Sequence, residues 1–283
     1  MPVVPMPEIL QPAFEKRYGV GAFNIVDEVT MQAVLAAAAK ARSPVIVQVS
    51  VKTVKLWGAK LIQLMFAEMA RKAPIPATLH LDHCPDRKVI RECLEAGWNS
   101  VLFDGSKLDY EEVLQQTKEV VALARKYGAA VEGEVEAVKG VEDGVGGDYS
   151  TPIIPLDKAV AFIRETGIDS FAAGIGTAHG LYEGEPKINF QRVSEIVAAQ
   201  STPLVLHGGT GLSEEVFTEL IARGEAKVNI STQLKITMAD TYRSYLNAHP
   251  TEYDPLKLLG AVGDQVAKMV GEFLHIFGSE GKA

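Results

Sequence analysis

Cysteine is nearly missing from this chain: its 283 residues include two, Cys84 and Cys93. They offer no disulfide framework and no CxxC pair for a structural metal, so a reducing compartment, the cytoplasm, is the expected setting. Positive charge is also scarce, with 28 Lys and Arg against 36 Asp and Glu and a formal net charge of −8. No basic run breaks that balance, and no nucleic-acid partner is expected. Long apolar runs are absent as well; none nears the roughly 20 residues that span a bilayer. Met1-Pro-Val-Val-Pro-Met-Pro7 has no basic stretch ahead of an apolar one, so neither a membrane partner nor secretion is expected. No strand-like segment opens a helix with GxGxxG, which removes the main support for an open dinucleotide-binding sheet.

What is present is enough for a large core, with hydrophobic residues at 47% and charged residues at 23%. Short β-rich runs fall at 20–25, 45–50, 77–83, 100–105, 130–135, 170–176, 203–207 and 226–230. Between them lie segments with apolar residues at three- and four-residue steps, at 28–41, 61–72, 86–96, 110–127, 156–166, 190–199 and 213–223. Several of these end at glycine (Gly97, Gly128, Gly167, Gly224), where a left-handed cap suits only that residue. Eight strand–helix units predict an α/β fold, a closed (β/α)₈ TIM barrel, with residues 1–283 as one domain. Two additional C-terminal helices are expected at 255–259 and 261–277, closing the barrel floor or reaching a partner subunit. The Gly-rich stretch 143–155 has no apolar period and reads as a long mobile loop, of the kind that is usually functional or disordered.

In such a barrel the C-terminal ends of the strands face the active-site mouth, and the polar residues cluster at those ends. Asp82 and His83 end the third run, Glu132 and Glu134 sit in the fifth, and His179 and His207 follow the sixth and seventh. Three imidazoles at one mouth fit a catalytic zinc site with an open position, whereas one alone would more often be structural. His80 lies one residue off the alternation of His83 and reads as structural; His249 and His275 fall in the tail, at the surface or an interface. Gly208-Gly-Thr-Gly211 and Asn229-Ile-Ser-Thr232 follow strands seven and eight, where barrels commonly bind phosphate. Tight turns alone would explain the glycines, but Ser231, Thr232 and a helix beginning there favour a phosphate cradle. Glu142 and Asp143, at the start of the loop, are open to two readings, a proton-transfer group over the substrate or solvated charge. Asp82, at the rim beside a ligand, is either a proton donor to substrate or a group that orients a histidine.

Taken together, these residues resemble the class II, metal-dependent ketose-bisphosphate aldolases, in the fructose- and tagatose-bisphosphate branch. The likeness rests on Gly21-Ala-Phe-Asn24, Leu81-Asp-His83, Val131-Glu-Gly-Glu134, Gly140-Val-Glu-Asp143, Gly176-Thr-Ala-His-Gly180, the two loops above and the closing Phe277-Gly-Ser279. It implies one divalent metal held by His83, His179 and His207, zinc first with cobalt or iron as alternatives, and Glu134 near an alternative position of that metal. It also implies Asp82 as the acid at the aldehyde oxygen and Glu142 as the group exchanging a proton on dihydroxyacetone phosphate. Gly180, Gly208, Gly209, Thr210, Asn229, Ile230, Ser231 and Thr232 match the family's contacts to that triose phosphate, and Asn24 and Ser50 its substrate-binding positions. A monovalent cation, a phosphorylated-sugar substrate and a homodimer or homotetramer come with the resemblance.

Two departures bear on the aldehyde half. Where the family reads Glu-Leu-Gly and then paired glycines, this chain has Glu134-Val-Glu136 and Lys139-Gly140; in the closing helix, positions usually basic read Gly271, Phe273 and His275. Deoxy or sulfonated ketose 1-phosphates are therefore alternative substrates. Three other readings compete: a Schiff-base aldolase using Lys139 or Lys227, a non-catalytic sugar-phosphate-binding subunit, and a zinc hydrolase. The last lacks its usual His-x-His after strand one, where this chain has Asn24.

Overall fold

The structure is a computed structural model that describes residues 2–136, 140–142, 145–147, 153–182 and 184–283, with backbone alone at 141–142 and 145–147. The strands are β1 (Val20–Asn24), β2 (Val45–Ser50), β3 (Ala77–Cys84), β4 (Ser100–Asp104), β5 (Ala130–Glu134), β6 (Gly140–Glu142), β7 (Val145–Gly147), β8 (Ser170–Ala172), β9 (Leu204–Leu206) and β10 (Glu225–Ile230). All but β6 and β7 close into one parallel barrel in the order β1-β10-β9-β8-β5-β4-β3-β2, while β6 and β7 pair antiparallel as a separate hairpin. Every barrel strand is buried along its length, as expected when side chains fill the inside and helices cover the outside.

The helices are α1 (Met6–Lys16), α2 (Glu28–Ala41), α3 (Val51–Trp57), α4 (Ala59–Ala70), α5 (Arg87–Ala96), α6 (Tyr110–Arg125), α7 (Leu156–Thr166), α8 (Phe190–Ala199), α9 (Glu214–Arg223), α10 (Thr232–Ala248) and α11 (Pro255–Ile276). Two sequence boundaries ran one residue early because Asp86 and Ser213 are the N-caps, their side chains accepting from Lys88 N–H and Val216 N–H. The segment expected at 61–72 instead runs Ala59–Ala70, and α1 and α3 were not anticipated.

The barrel floor is closed by α1 and not by the tail. Met6, Ile9, Leu10, Ala13 and Phe14 pack on Val20, Ala22, Ile46, Ala130 and Ala226 at the opening ends of their strands. The tail forms a single long helix where a break at Gly260 was expected. Val262, Val266, Met269, Val270 and Leu274 are buried along it, and it packs against α2 and α10. Burial of that stripe outweighs the helix penalty of glycine, about 1 kcal/mol per residue.

Charge is buried inside the barrel. Lys227 Nζ lies 2.8 Å from Glu132 Oε2, both fully enclosed. Neither oxygen of Glu225 has a hydrogen-bond partner among the described residues. Burial, reinforced by the Glu132 carboxylate, pushes the Glu225 carboxyl up to about 8. Its folded value thus lies above that of an unfolded chain, so the stability it contributes is present below about pH 4.5 and lost as pH rises toward about 8. Glu225→Gln is expected to flatten that slope. Thermal unfolding of parent and variant should nearly coincide at about pH 5 and favour the variant by several degrees at about pH 9; equal melting at both would refute it.

Candidate active site

Strand β3 delivers two adjacent side chains to one mouth by breaking its own alternation. Leu79 and Leu81 point outward into the helix-facing core, which leaves His80 and Asp82 on the inner face. At His83 the backbone turns left-handed (φ 42°), and pairing with β4 shifts register between Leu81 and Cys84. A non-glycine residue in that region is strained, and here the turn swings His83 to the same side as Asp82. The parity expected from sequence is therefore corrected: His83, not His80, departs from the alternation. His80 is nonetheless structural, its Nδ1 lying 2.7 Å from Ser100 Oγ.

His83, His179 and His207 converge. The His83 ring lies 4.8 Å from that of His179 and 4.6 Å from that of His207, while His179 and His207 are 5.9 Å apart. His83 Nδ1 faces Asp104 Oδ2 at 3.1 Å and Glu134 Oε2 at 3.3 Å. His207 Nε2 is held 2.9 Å from Glu132 Oε1, turning Nδ1 toward Glu134 Oε2 at 3.5 Å. Among the described residues two potential ligand trios result, His83-His179-His207 and His83-Asp104-Glu134, each with its ligand atoms within 4.8 Å of one another. Burial, together with the charge of His83, holds His179 and His207 well below the usual imidazole range, in the neutral form that coordinates metals. Burial also acts downward on His83, but Asp82, Glu134 and Asp104 outweigh it and raise that imidazole well above its ordinary value. Burial likewise opposes the ionised form of Asp104, yet its bond to His83 wins and holds the carboxyl low. The pocket favours positive charge at its centre, and His83 Nε2 is buried with no hydrogen-bond partner among the described residues. Imidazoles backed by carboxylates fit a divalent metal.

Around this centre the β1–β2–β3 registers bring Asn24 beside Gln48 and Ser50 beside Asp82. Gln48 Nε2 donates to Asn24 Oδ1 at 2.8 Å, and Asn24 Nδ2 donates to Asp82 Oδ2 at 2.7 Å. Asn24 is thus committed to orienting Asp82, whose Oδ1 is buried without a hydrogen-bond partner among the described residues. On the other side of β1, which pairs with β10, the β9 and β10 loops touch: a Cβ on Gly209 would sit 3.0 Å from Asn229 O, and Thr210 Oγ1 accepts from Gln233 N–H at 3.3 Å. Asn229 Oδ1 and Ser231 Oγ are buried without partners among the described residues, and α10 starts at Thr232 with no side-chain cap. The Ile230 side chain lies in the hydrophobic core, so its backbone alone can face a ligand.

The β6–β7 hairpin approaches the same mouth. A Cβ on Gly140 would sit 2.4 Å from His179 O, so glycine is what allows that contact. Glu142 has its backbone in β6, its side chain lying outside the described residues, as do Lys139 and Asp143 entirely. Lys227 is engaged with Glu132 inside the barrel, a poor place for a Schiff-base amine. Glu136 turns away from the metal-ligand trios: Oε2 accepts from Gly174 N–H at 2.6 Å, and Oε1 from Ile154 N–H at 2.9 Å and from Arg192 Nη2. Asp104, Gln48 and Arg192 were not singled out in the sequence. Asp104 carried a usable signal, an acid at a strand end; Arg192, inside an amphipathic helix, carried none.

Comparison with known proteins agrees with this geometry. The family model described as fructose-bisphosphate aldolase class-II matches residues 4–282. "Probable fructose-bisphosphate aldolase" of Bacillus subtilis (strain 168) is 37% identical over 100% of both chains. The 6-phospho-5-dehydro-2-deoxy-D-gluconate aldolase of the same organism is also 37% identical, over 100% of this chain and 98% of its own. Among solved structures, the YdjI aldolase of Escherichia coli K12 superposes with a TM-score of 0.88 at 31% identity, covering 99% of each chain. A closed barrel with this mouth, matched end to end, establishes that the chain is an aldolase belonging to the class II fructose-bisphosphate aldolase family.

Proposed function

We propose that this protein is a zinc-dependent aldolase that reversibly cleaves a phosphorylated ketose, of the fructose- or tagatose-1,6-bisphosphate type, into dihydroxyacetone phosphate and an aldehyde such as glyceraldehyde 3-phosphate. The observation that carries the reading is the convergence of His83, His179 and His207 beside Asp82, with carboxylates behind the imidazoles. Breaking the carbon–carbon bond leaves an electron pair on the carbon next to the ketone, and negative charge spreads onto the ketone oxygen. A divalent ion at the three imidazoles supplies Lewis-acid stabilisation of that charge; zinc suits the donors, as do cobalt and iron. Asp82, aligned by Asn24 and Gln48, exchanges the proton at the aldehyde oxygen. Glu142 exchanges the proton at the nucleophilic carbon. Gly180, Gly208 to Thr210 and Asn229 to Thr232 hold the triose phosphate group, placing binding energy remote from the reacting carbons.

The aldehyde half is the open variable, since two relatives of equal identity carry different substrate names. We read the protein as cytoplasmic and homo-oligomeric; among the described residues no helix is long and apolar enough to cross a membrane. A coupled assay across fructose and tagatose 1,6-bisphosphates, their 1-phosphates, and deoxy and sulfonated analogues tests the reading. Chelator-sensitive cleavage of at least one is expected, and Asp82→Asn should lower that kcat by about 10²- to 10⁴-fold with metal retained. Failure to cleave any of them would sink it.

A further inference from the structure

The three imidazoles are not carried equally firmly. His83 lies within β3 and His207 directly follows β9, but β8 ends at Ala172, so His179 stands on a loop well past its strand. The His179–His207 pair is also the widest of the three, at 5.9 Å between rings. The Tyr182 side chain joins the two loops: its Oη accepts from Ala178 N–H at 3.1 Å and donates to Gly208 O at 2.7 Å. Ala178 precedes His179 and Gly208 follows His207, so the phenol grips each loop one residue from its imidazole. The loops are already in backbone contact there. Gly208 has φ 70°, and a Cβ on it would sit 2.4 Å from Ala178 O. Burial raises the Tyr182 phenol, which keeps its proton for the bond to Gly208.

We propose that Tyr182 is a positioning residue, a strut whose hydroxyl sets the separation of His179 and His207 and so tunes the divalent-metal site. The inference rests on the metal reading above. An imidazole pair separated by two loops needs a rigid spacer to present both ring nitrogens at coordination distance, and a single hydroxyl bonded to both backbones supplies one. Removing it would let the loops relax independently while leaving the ring's packing in place.

Tyr182→Phe tests this by deleting that oxygen alone. Parent and variant, stripped with a chelator, are titrated with zinc against a chromophoric competitor and separately with cobalt. Zinc affinity is expected to fall about 10- to 100-fold in the variant, with a shifted cobalt ligand-field band. The metal-free forms should melt close together, and the melting-temperature gain on adding zinc should shrink in the variant. A purely structural hydroxyl would lower metal-free stability and leave the cobalt band in place. Zinc affinity within about twofold of the parent, with an unchanged cobalt spectrum, would overturn the strut whatever happens to stability. If the parent itself bound no divalent metal, the metal reading and the strut would fall together; if the parent bound and the variant bound equally, the strut alone would fall.

Discussion

His207→Ala should abolish metal retention and cleavage together. His207 is fixed through Nε2 by Glu132, which is itself paired with Lys227, so its Nδ1 is held at a set position toward the centre. Deleting the ring removes one of the three imidazole donors and leaves Glu132 facing a void. Metal stabilisation of developing charge is worth several kcal/mol, so cleavage should drop by about 10³-fold or more. Metal content by elemental analysis and initial rates before and after chelation, with zinc or cobalt added back, provide the check. The chelated parent should recover and the variant should not. A variant that cleaves at the parental rate after chelation would remove the imidazole trio from the reaction.

The largest stability effect is expected from Arg192→Met. Arg192 and Glu136 are 7% and 2% exposed, and the carboxylate is otherwise met by two backbone N–H groups. Burial already raises the Glu136 carboxyl, with Arg192 acting against it; losing the guanidinium strands a buried anion, at about 3–5 kcal/mol. Because the folded value then rises further above that of an unfolded chain, the deficit should shrink as pH falls below about 4.5, where Glu136 is protonated in both states, and grow as pH rises toward neutrality. Urea unfolding at several pH values measures it. Adding Glu136→Gln should recover part of the loss, since the stranded charge is gone. A single variant within about 1 kcal/mol of the parent at neutral pH would show that the pair contributes little.

Much of this was legible because strand and helix periods differ and because parallel barrels direct strand ends to one mouth. The eight strands, the seven helices read between them, and the inward face that carries Asp82 follow from pattern alone. Other features depended on partners far away in the chain. The long α11 overrides its glycines because α2 offers a surface to bury against. The α1 plug was invisible because its residues become core only once the barrel floor exists. His83 reaches the mouth through a left-handed turn that no alternation rule anticipates.

The fold class was written into the sequence, since the strand and helix periods are local properties of the chain. The tertiary structure decided which neighbours tune the imidazole centre. Asp104 behind His83, Glu132 and Lys227 behind His207, Asn24 and Gln48 behind Asp82, and Arg192 against Glu136 are contacts between distant segments. Strand register and loop packing create them, and no spacing along the chain encodes them.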